Sequence, residues 1–426
     1  MTEPLRQYAD FVQSNFRFLM FGVLMTLGSS YGQTYFIAIF NAEIRQEYGL
    51  SHGEIGTYYS IATVLSALVF VWVGRLIDSM SVRNFSTLAI LGLACASFLM
   101  SLSNAVALLP IVFFGLRLAG QGLMTHAAIT AAAKAFDARR GTALSLISLG
   151  FPLGQAIFPI IGVMLIASIG WRQTWFVFSI ALLVCLLPTI LFLLGGEHSF
   201  AEEKRVQSDE SDGATSKSAN SKSQPTYIRH WTRKEVLRDS QFYLLQPAAL
   251  AMPIIATGVI WNVTLIAESK SWNLELVAAS LSGLAFSQAV MTIISGPLID
   301  RFRALPLLPI SLLPAIVSLL LLAFVESSFF IFPIMLLLGL SLGLMFPVSA
   351  AIWAELYGLT HLGAIRALTQ GLAVFGTALS PALMGLLTDW GISIEVTAFL
   401  LAAYAASAGA LALVVCGLPS NSSAQT

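Results

Sequence analysis

Apolar runs of span length recur along nearly all of this 426-residue chain, and that pattern limits its fold more than any other. A bilayer's hydrocarbon core, ~30 Å thick, is crossed by ~20 helical residues. No water enters that core, so the backbone must satisfy its own hydrogen bonds there. The runs begin near Phe18, Gly56, Asn84, Ala105, Thr142 and Thr174. After a polar gap they resume near Phe242, Val277, Leu305, Ser328, Gly363 and Val396. They predict twelve transmembrane helices, six on each side of the gap. Only 10% of the residues are charged, far below the roughly 25% of soluble proteins. The expected fold class is an all-α polytopic membrane protein, with the lipid bilayer as its main partner.

The two sets of six share landmarks. Gly141, Gly154 and Pro159 recur at Gly363, Gly376 and Pro381, each 222 residues later (363 − 141). Gly74-Arg-Leu-Ile-Asp78 recurs as Gly296-Pro-Leu-Ile-Asp300 at the same offset (296 − 74). One offset shared by separated motifs predicts two parallel halves, residues 1–195 and 242–426, a repeat type found among secondary transporters. Between them lies a linker, 196–241. Its middle, 207–224, is mostly Ser, Asp, Lys, Ala and Gly, with too little apolar surface to fold. Its end, 230–238, has the pattern of a short amphipathic helix at the membrane surface. Gly150-x3-Gly154 and Gly339-x3-Gly343 match close helix packing.

Lys and Arg set the orientation. With both termini on one side, that side carries 18 of the 22 basic residues, eight of them in the linker; Arg45, Arg172 and Lys270 face the other way. The asymmetry predicts cytoplasmic termini and a cytoplasmic linker. Net charge is zero, which gives no reason to expect a nucleic-acid partner. Residues 1–17 mix Glu3, Arg6, Asp10 and Arg17 and lack the layout of a cleaved signal peptide. Cys95, Cys185 and Cys416 have no metal-ligand or disulfide spacing. No nucleophile elbow, phosphate loop or His/Cys cluster is present, so neither an enzyme nor a cofactor or metal is expected.

A few polar residues stand inside the spans. Arg117 is the basic residue deep in one, where insertion costs at least ~2.5–3.5 kcal/mol, so it should face the bundle interior. Gln121 and Thr125 follow at i+4 and i+8, on one α-helical face. His126 points elsewhere and reads as a packed, hydrogen-bonded side chain. Tyr31 and Tyr35 share a face of the first span, offering a ring and a hydroxyl. Trp261, Asn262 and Trp353 offer similar chemistry. Arg366, Gln370 and Thr377 share a face of span 11, where Arg366 could grip a carboxylate bidentately. For each, helix packing or contact with headgroups is the competing role. No Asp or Glu lies deep in a span; Glu268 and Glu355 fall near span ends.

Taken together, the six-plus-six layout, the Gly-x-x-x-Asp motif at Gly74 and Gly296, and Arg117 in span 4 resemble the major facilitator superfamily. Arg139-Arg140 with Ala143-Leu144, Gly150-x-Pro152-x-Gly154, Pro159 and Gly170-Trp171-Arg172 resemble its monocarboxylate and oxalate–formate branch, as do Ser30-Tyr31-Gly32, Phe36 and Phe40. Where that branch often carries a Lys in span 1, this chain has Tyr35. Where it carries an Asp and an Arg four apart in span 8, this chain has Gln288 and Thr292. The resemblance implies spans 1, 4, 7 and 10 around a central cavity. Arg117, Gln121, Tyr31, Tyr35, Trp261, Asn262, Gln288, Arg366 and Gln370 are then the candidate substrate contacts. It also implies a cytoplasmic gate clasp at Asp78 and Arg83, and at Asp300 and Arg301.

The function this implies is secondary transport of a small organic anion such as a monocarboxylate, by alternating access. A proton is a candidate co-substrate, as in a symporter. The protein would act as a monomer in the inner (plasma) membrane of a bacterium. Efflux of a neutral or amphipathic compound is the competing transport reading. A receptor of the same fold that binds without moving solute is the competing class.

Overall fold

Many side chains on the outside of the molecule are large and apolar. Phe192 and Phe324 are each 72% exposed and Ile293 is 73% exposed, which water would not tolerate at this density and lipid does. The structure, a computed structural model, describes residues 10–74, 76–136, 140–195, 231–358 and 362–417. It is all-helical. Before the linker come α1 (Phe16–Gly28), α2 (His52–Val73), α3 (Val82–Leu102), α4 (Leu109–Leu116), α5 (Thr125–Ala135), α6 (Gly150–Ile169) and α7 (Trp171–Ala181). After it come α8 (Ser240–Trp261), α9 (Leu274–Phe302), α10 (Ala304–Phe324), α11 (Ile331–Tyr357), α12 (Leu362–Asp389) and α13 (Ile394–Gly417).

Ten stretches among the described residues are long and apolar enough to cross a bilayer. They fall at spans 3 to 12 of the expected twelve. The other two positions hold the 22-residue α2 and a first span that is not continuous. There α1 gives way to a 3-10 turn, Ser29–Gly32, and the chain is extended at Gln33 (ψ 151°) before helix resumes at Thr34–Ile37. The 222-residue offset also governs helix starts. His52 and Leu274, Val82 and Ala304, and Leu109 and Ile331 are pairs at that spacing.

Local chemistry explains the ends. Ser51 and Glu54 form a reciprocal cap at the start of α2, satisfying two orphan donors. Asn273 caps α9 through Glu275 and Leu276. Prolines inside helices (Pro159, Pro253, Pro297, Pro347 and Pro381 among them) are tolerated because neighbouring helices supply the missing bonds. The expected close packing is present. A Cβ on Gly150 or Gly154 would run into the first span, and one on Gly339 or Gly343 into α9.

The end of the linker folds back on the second set of helices. Thr232 and Glu235 form a capping box on a short helix, Arg233–Val236. The backbone N–H of Trp231 donates to the Tyr357 carbonyl (3.0 Å), and the Trp231 and Tyr357 rings meet edge-on. The Tyr357 hydroxyl donates to Asp239 (2.9 Å).

Gly170-Trp171-Arg172 forms a tie across three loops. Gly170 takes a positive φ of 83°, which turns the chain sharply into α7. Trp171 then donates to Glu47 (2.8 Å), and Arg172 pairs with Glu47. Arg172 also donates to the Ser103 carbonyl from Nε (3.1 Å) and Nη2 (2.7 Å). Hydrogen bonding to Arg172 holds the Glu47 carboxyl below the usual carboxylate range. A depressed native pKa stabilises the fold above the ordinary carboxylate value and ceases to do so as pH falls through the native one. Glu47 is 42% exposed, so solvent screens the pair. Arg172→Ala should cost about 1–2 kcal/mol. It should lower the thermal unfolding midpoint at pH 7 and leave less acid sensitivity than the parent has. An unchanged midpoint would show the tie to be idle.

Candidate functional site

The break in the first span and the middle of the fourth meet backbone to backbone. A Cβ on Gly32 would strike the Leu116 carbonyl and the Gly120 backbone, and one on Gly120 would strike Gly32. Small residues on both sides permit this approach. At the same crossing, span 4 abandons α-helix for a π segment, Arg117–Met124. Such segments are often associated with functional sites. Each residue of a π turn advances through a smaller angle than in an α-helix, so the α-helical register assumed for Arg117 and Gln121 does not apply. Arg117 is 5% exposed, whereas Gln121 is exposed.

The Arg117 guanidinium occupies the notch this crossing creates. Nη1 donates to Thr34 Oγ1 (3.2 Å) and reaches the Gly32 carbonyl at 3.5 Å, beside the point where the helix is interrupted. Its Cζ lies 5.3 Å from the Tyr59 ring centroid, a favourable cation–π position. Tyr59 in turn stacks on Trp261 (3.8 Å, 27°), and Phe113 meets both edge-on. No carboxylate among the described residues pairs with Arg117, and its Nε is buried without a partner. A buried cation without a counter-charge is costly, so the site is electrostatically incomplete in favour of an anion.

Trp261 belongs to α8, beyond the linker, so this stack joins the two sets of helices. Other bonds join them nearby. Asn41 donates to the Trp261 carbonyl (3.0 Å) and Arg45 pairs with Glu268 (2.8 Å). Asp389, at the end of α12, accepts from the backbone N–H of Gly53 (2.8 Å) and His52 (3.2 Å). Those N–H groups are orphan donors at the start of α2, where a carboxylate is favoured. Deeper in, Ser282 donates to the Ala156 carbonyl (2.7 Å).

The remaining candidates are dispersed. Tyr31 packs among Phe36, Phe158 and Phe178. Tyr35 donates to Ser30 (2.8 Å) and meets Phe151. Asn262 ends α8 by donating to the Gly258 carbonyl (2.9 Å). Gln288 is half-buried where α9 meets Gly343. The side chains of Arg366, Gln370, Asp78 and Asp300 lie outside the described residues. Arg83 and Arg301 are exposed, with Arg301 over the Phe302 ring. His126 bonds the Gly74 carbonyl (3.1 Å) and Thr130 (3.3 Å), between Phe70 and Phe85. Thr34 and Tyr59, Arg117's side-chain neighbours, were not singled out in the sequence. The paired glycines Gly32 and Gly120 were the available signal.

Comparison with known proteins adds a family to this geometry. The Major Facilitator Superfamily model matches residues 22–286 and 247–425. Human monocarboxylate transporter 6 is 29% identical over 173 residues, which are 39% of this chain and 33% of that protein. The match thus spans about a third of that relative's length. A bacterial homologue of the human lysosomal transporter Spinster, solved inward-facing and occupied, superposes with a TM-score of 0.63 at 14% identity, over 98% of this chain and 96% of its own. The nucleoside transporter NupG superposes with a TM-score of 0.67 at 13% identity, over 94% and 99%. At those identities the likeness is one of fold.

The backbone crossing makes a prediction of opposite signs. Gly120→Ala should destabilise the protein by about 1–3 kcal/mol through overpacking. Gly371→Ala, which meets open space, should stabilise α12 by roughly 0.5–1 kcal/mol. Thermal unfolding in detergent reads both, and equal effects would contradict the crossing.

Proposed function

This chain belongs to the major facilitator superfamily, and from that premise we propose that it is a secondary transporter whose cargo is a small organic anion, a monocarboxylate being the best fit. The observation that carries this is Arg117: buried, unpaired by any described carboxylate, and with Nε unused. A guanidinium has five donors in a planar fork suited to a carboxylate. The partial match to a protein named as a monocarboxylate transporter supports the same cargo class.

On this reading the 1–195 and 242–426 halves rock about the Arg117 crossing. Gln121, Tyr31, Tyr35, Trp261, Asn262, Gln288, Arg366 and Gln370 remain proposed contributors to the cargo path. Asp78 with Arg83, and Asp300 with Arg301, remain the proposed gate at the opposite end from Asp389. The distribution of Lys and Arg supports cytoplasmic termini, and a bacterial plasma membrane remains the proposed location. The bonded end at Arg45, Glu268 and Asp389 then faces outward, and the conformation is inward-facing. Because no acidic residue lies deep in a span, a co-transported proton would travel on the cargo's own carboxylate.

Initial uptake of radiolabelled monocarboxylates into proteoliposomes, measured against external pH, tests the reading. Arg117→Gln should abolish uptake. Arg117→Lys should restore it only in part, because Lys keeps the charge and loses the fork. His126→Gln should leave the pH profile nearly unchanged. Full uptake in Arg117→Gln would refute the cargo site, and a flattened profile in His126→Gln would move the proton to the His.

The outward clasp has its own test. Asp389→Asn keeps the shape and removes the charge opposite the α2 N-terminus, an interaction of about 0.3–1 kcal/mol when exposed. That corresponds to a shift of up to about fivefold toward separation of this end. Spin labels at exposed Gln46 and Ser393 should report a larger long-distance population. An unchanged distribution would remove Asp389 from the clasp.

A further inference from the structure

A cavity of about 200 Å³ with an open mouth lies between α8, α11 and α12. That is room for a compact organic molecule rather than a drug-sized one. Its walls are apolar and adaptable, with Leu250, Met252, Leu342, Met345, Phe346 and the nearly buried Trp353 among them. Methionines fit their surroundings to irregular ligands. Set into this wall is Gln246, 8% exposed. Its amide nitrogen and its amide oxygen are both buried and both without a hydrogen-bond partner. The helix-packing face of an apolar span has no use for such a group. Two unmet polar atoms in one side chain make an incomplete site.

We propose that this cavity is a second binding site, for a flat, neutral, amphipathic molecule with a carboxamide or lactam edge. The Gln246 amide offers a donor and an acceptor side by side. The group that satisfies both at once presents an acceptor beside a donor, as a lactam does. The last torsion of a glutamine is soft and roughly two-fold, so the amide can turn toward a ligand in the cavity. None of the described lining residues is charged, so the described wall offers an ionised head no counter-charge. Ser349 and Thr369 add hydroxyls to the same wall.

The site is separate from Arg117. Gln246 and Trp261 are 15 residues apart on α8, about 22 Å along a helix. Trp261 closes over the Arg117 crossing, whereas Gln246 lies near the opposite end of the same helix. Trp353 also stacks on Tyr357 (6.2 Å, 6°), the ring that holds the end of the linker. A ligand against Trp353 would therefore touch the same stack of rings as the linker.

The probe is 2-quinolone, a flat lactam. Ser349→Cys in the full-length protein, in proteoliposomes and in a background with Cys95, Cys185 and Cys416 replaced by Ser, provides the reporter. Its rate of reaction with a methanethiosulfonate reagent should fall as 2-quinolone is added, and the fall should saturate. Adding Gln246→Leu should weaken this protection about tenfold, from the loss of two hydrogen bonds. That variant also removes the unmet polar atoms, so it should fold at least as stably. Adding Arg117→Gln should leave protection unchanged, which keeps this result independent of the cargo reading. Benzoate at pH 7 should not compete. Protection that is absent, is unaffected by Gln246→Leu, is lost with Arg117→Gln, or is displaced by benzoate would each overturn the second site.

Discussion

The interaction on which the rest of this structure depends is a guanidinium buried with no carboxylate among the described residues opposite it. In a low-dielectric interior a lone cation is among the costliest groups a fold can hold. Here it is held by weak partners: one hydroxyl, one distant carbonyl and the face of a ring. Each has a structural precondition. The Gly32 carbonyl borders a break in the first span, and Thr34 starts the helix that resumes after it. Tyr59 is held in place by Phe113 and Trp261. The Gly32–Gly120 contact is what brings the break within reach. Remove any of these and the charge is left with still less compensation.

That arrangement also ties charge to shape. Trp261 comes from the second set of helices, so the ring beneath the cation is stacked only while this end is joined. The stack, the Asn41 bond to the Trp261 carbonyl and the Asp389 bonds to the start of α2 lie on neighbouring segments. Whatever neutralises Arg117 changes the demand on Tyr59, and Tyr59 is in direct contact with the joint. On the proposed reading, this is where cargo and conformation would meet.

Much of the scaffold was legible in the sequence because apolar length and repeated landmarks are local or periodic signals. The 222-residue offset reappears in the helix starts at His52 and Leu274, with Ser51 and Asn273 as side-chain caps. Gly339-x3-Gly343 was readable as a packing face because a missing side chain means close approach whatever the partner. The break at Gln33 was not readable, since residues 16–40 look like one apolar run. The π segment was not either, and it undid the α-helical register that linked Arg117 to Gln121. Arg117 itself stood out by its cost, but Thr34 and Tyr59 are more than fifty residues from it. Nothing in a single sequence reports which helices cross. Gln246 escaped notice for the opposite reason, since one glutamine in a span is ordinary until its atoms prove unpartnered.

The polar part of the joint is weak by magnitude. Interconverting states of one protein differ by only a few kcal/mol. Exposed ion pairs contribute about 0–1 kcal/mol, and a carboxylate at an exposed helix N-terminus about 0.3–1 kcal/mol. Arg45–Glu268 and Asp389 at α2 therefore contribute to this end on the scale that binding one small molecule can reverse. Their side chains would regain water if they parted, so separation would leave no orphaned charge. Apolar packing adds to them: Tyr59 and Trp261 are buried in their stack, and α2 lies so close to α12 that a Cβ on Gly56 would strike Pro381 and one on Gly385 would strike His52. On the proposed reading Arg117 needs the reverse property, because its charge would stay unsatisfied until cargo arrives to meet it. A weakly bonded rim around a strongly frustrated centre is a division that one small ligand can exploit.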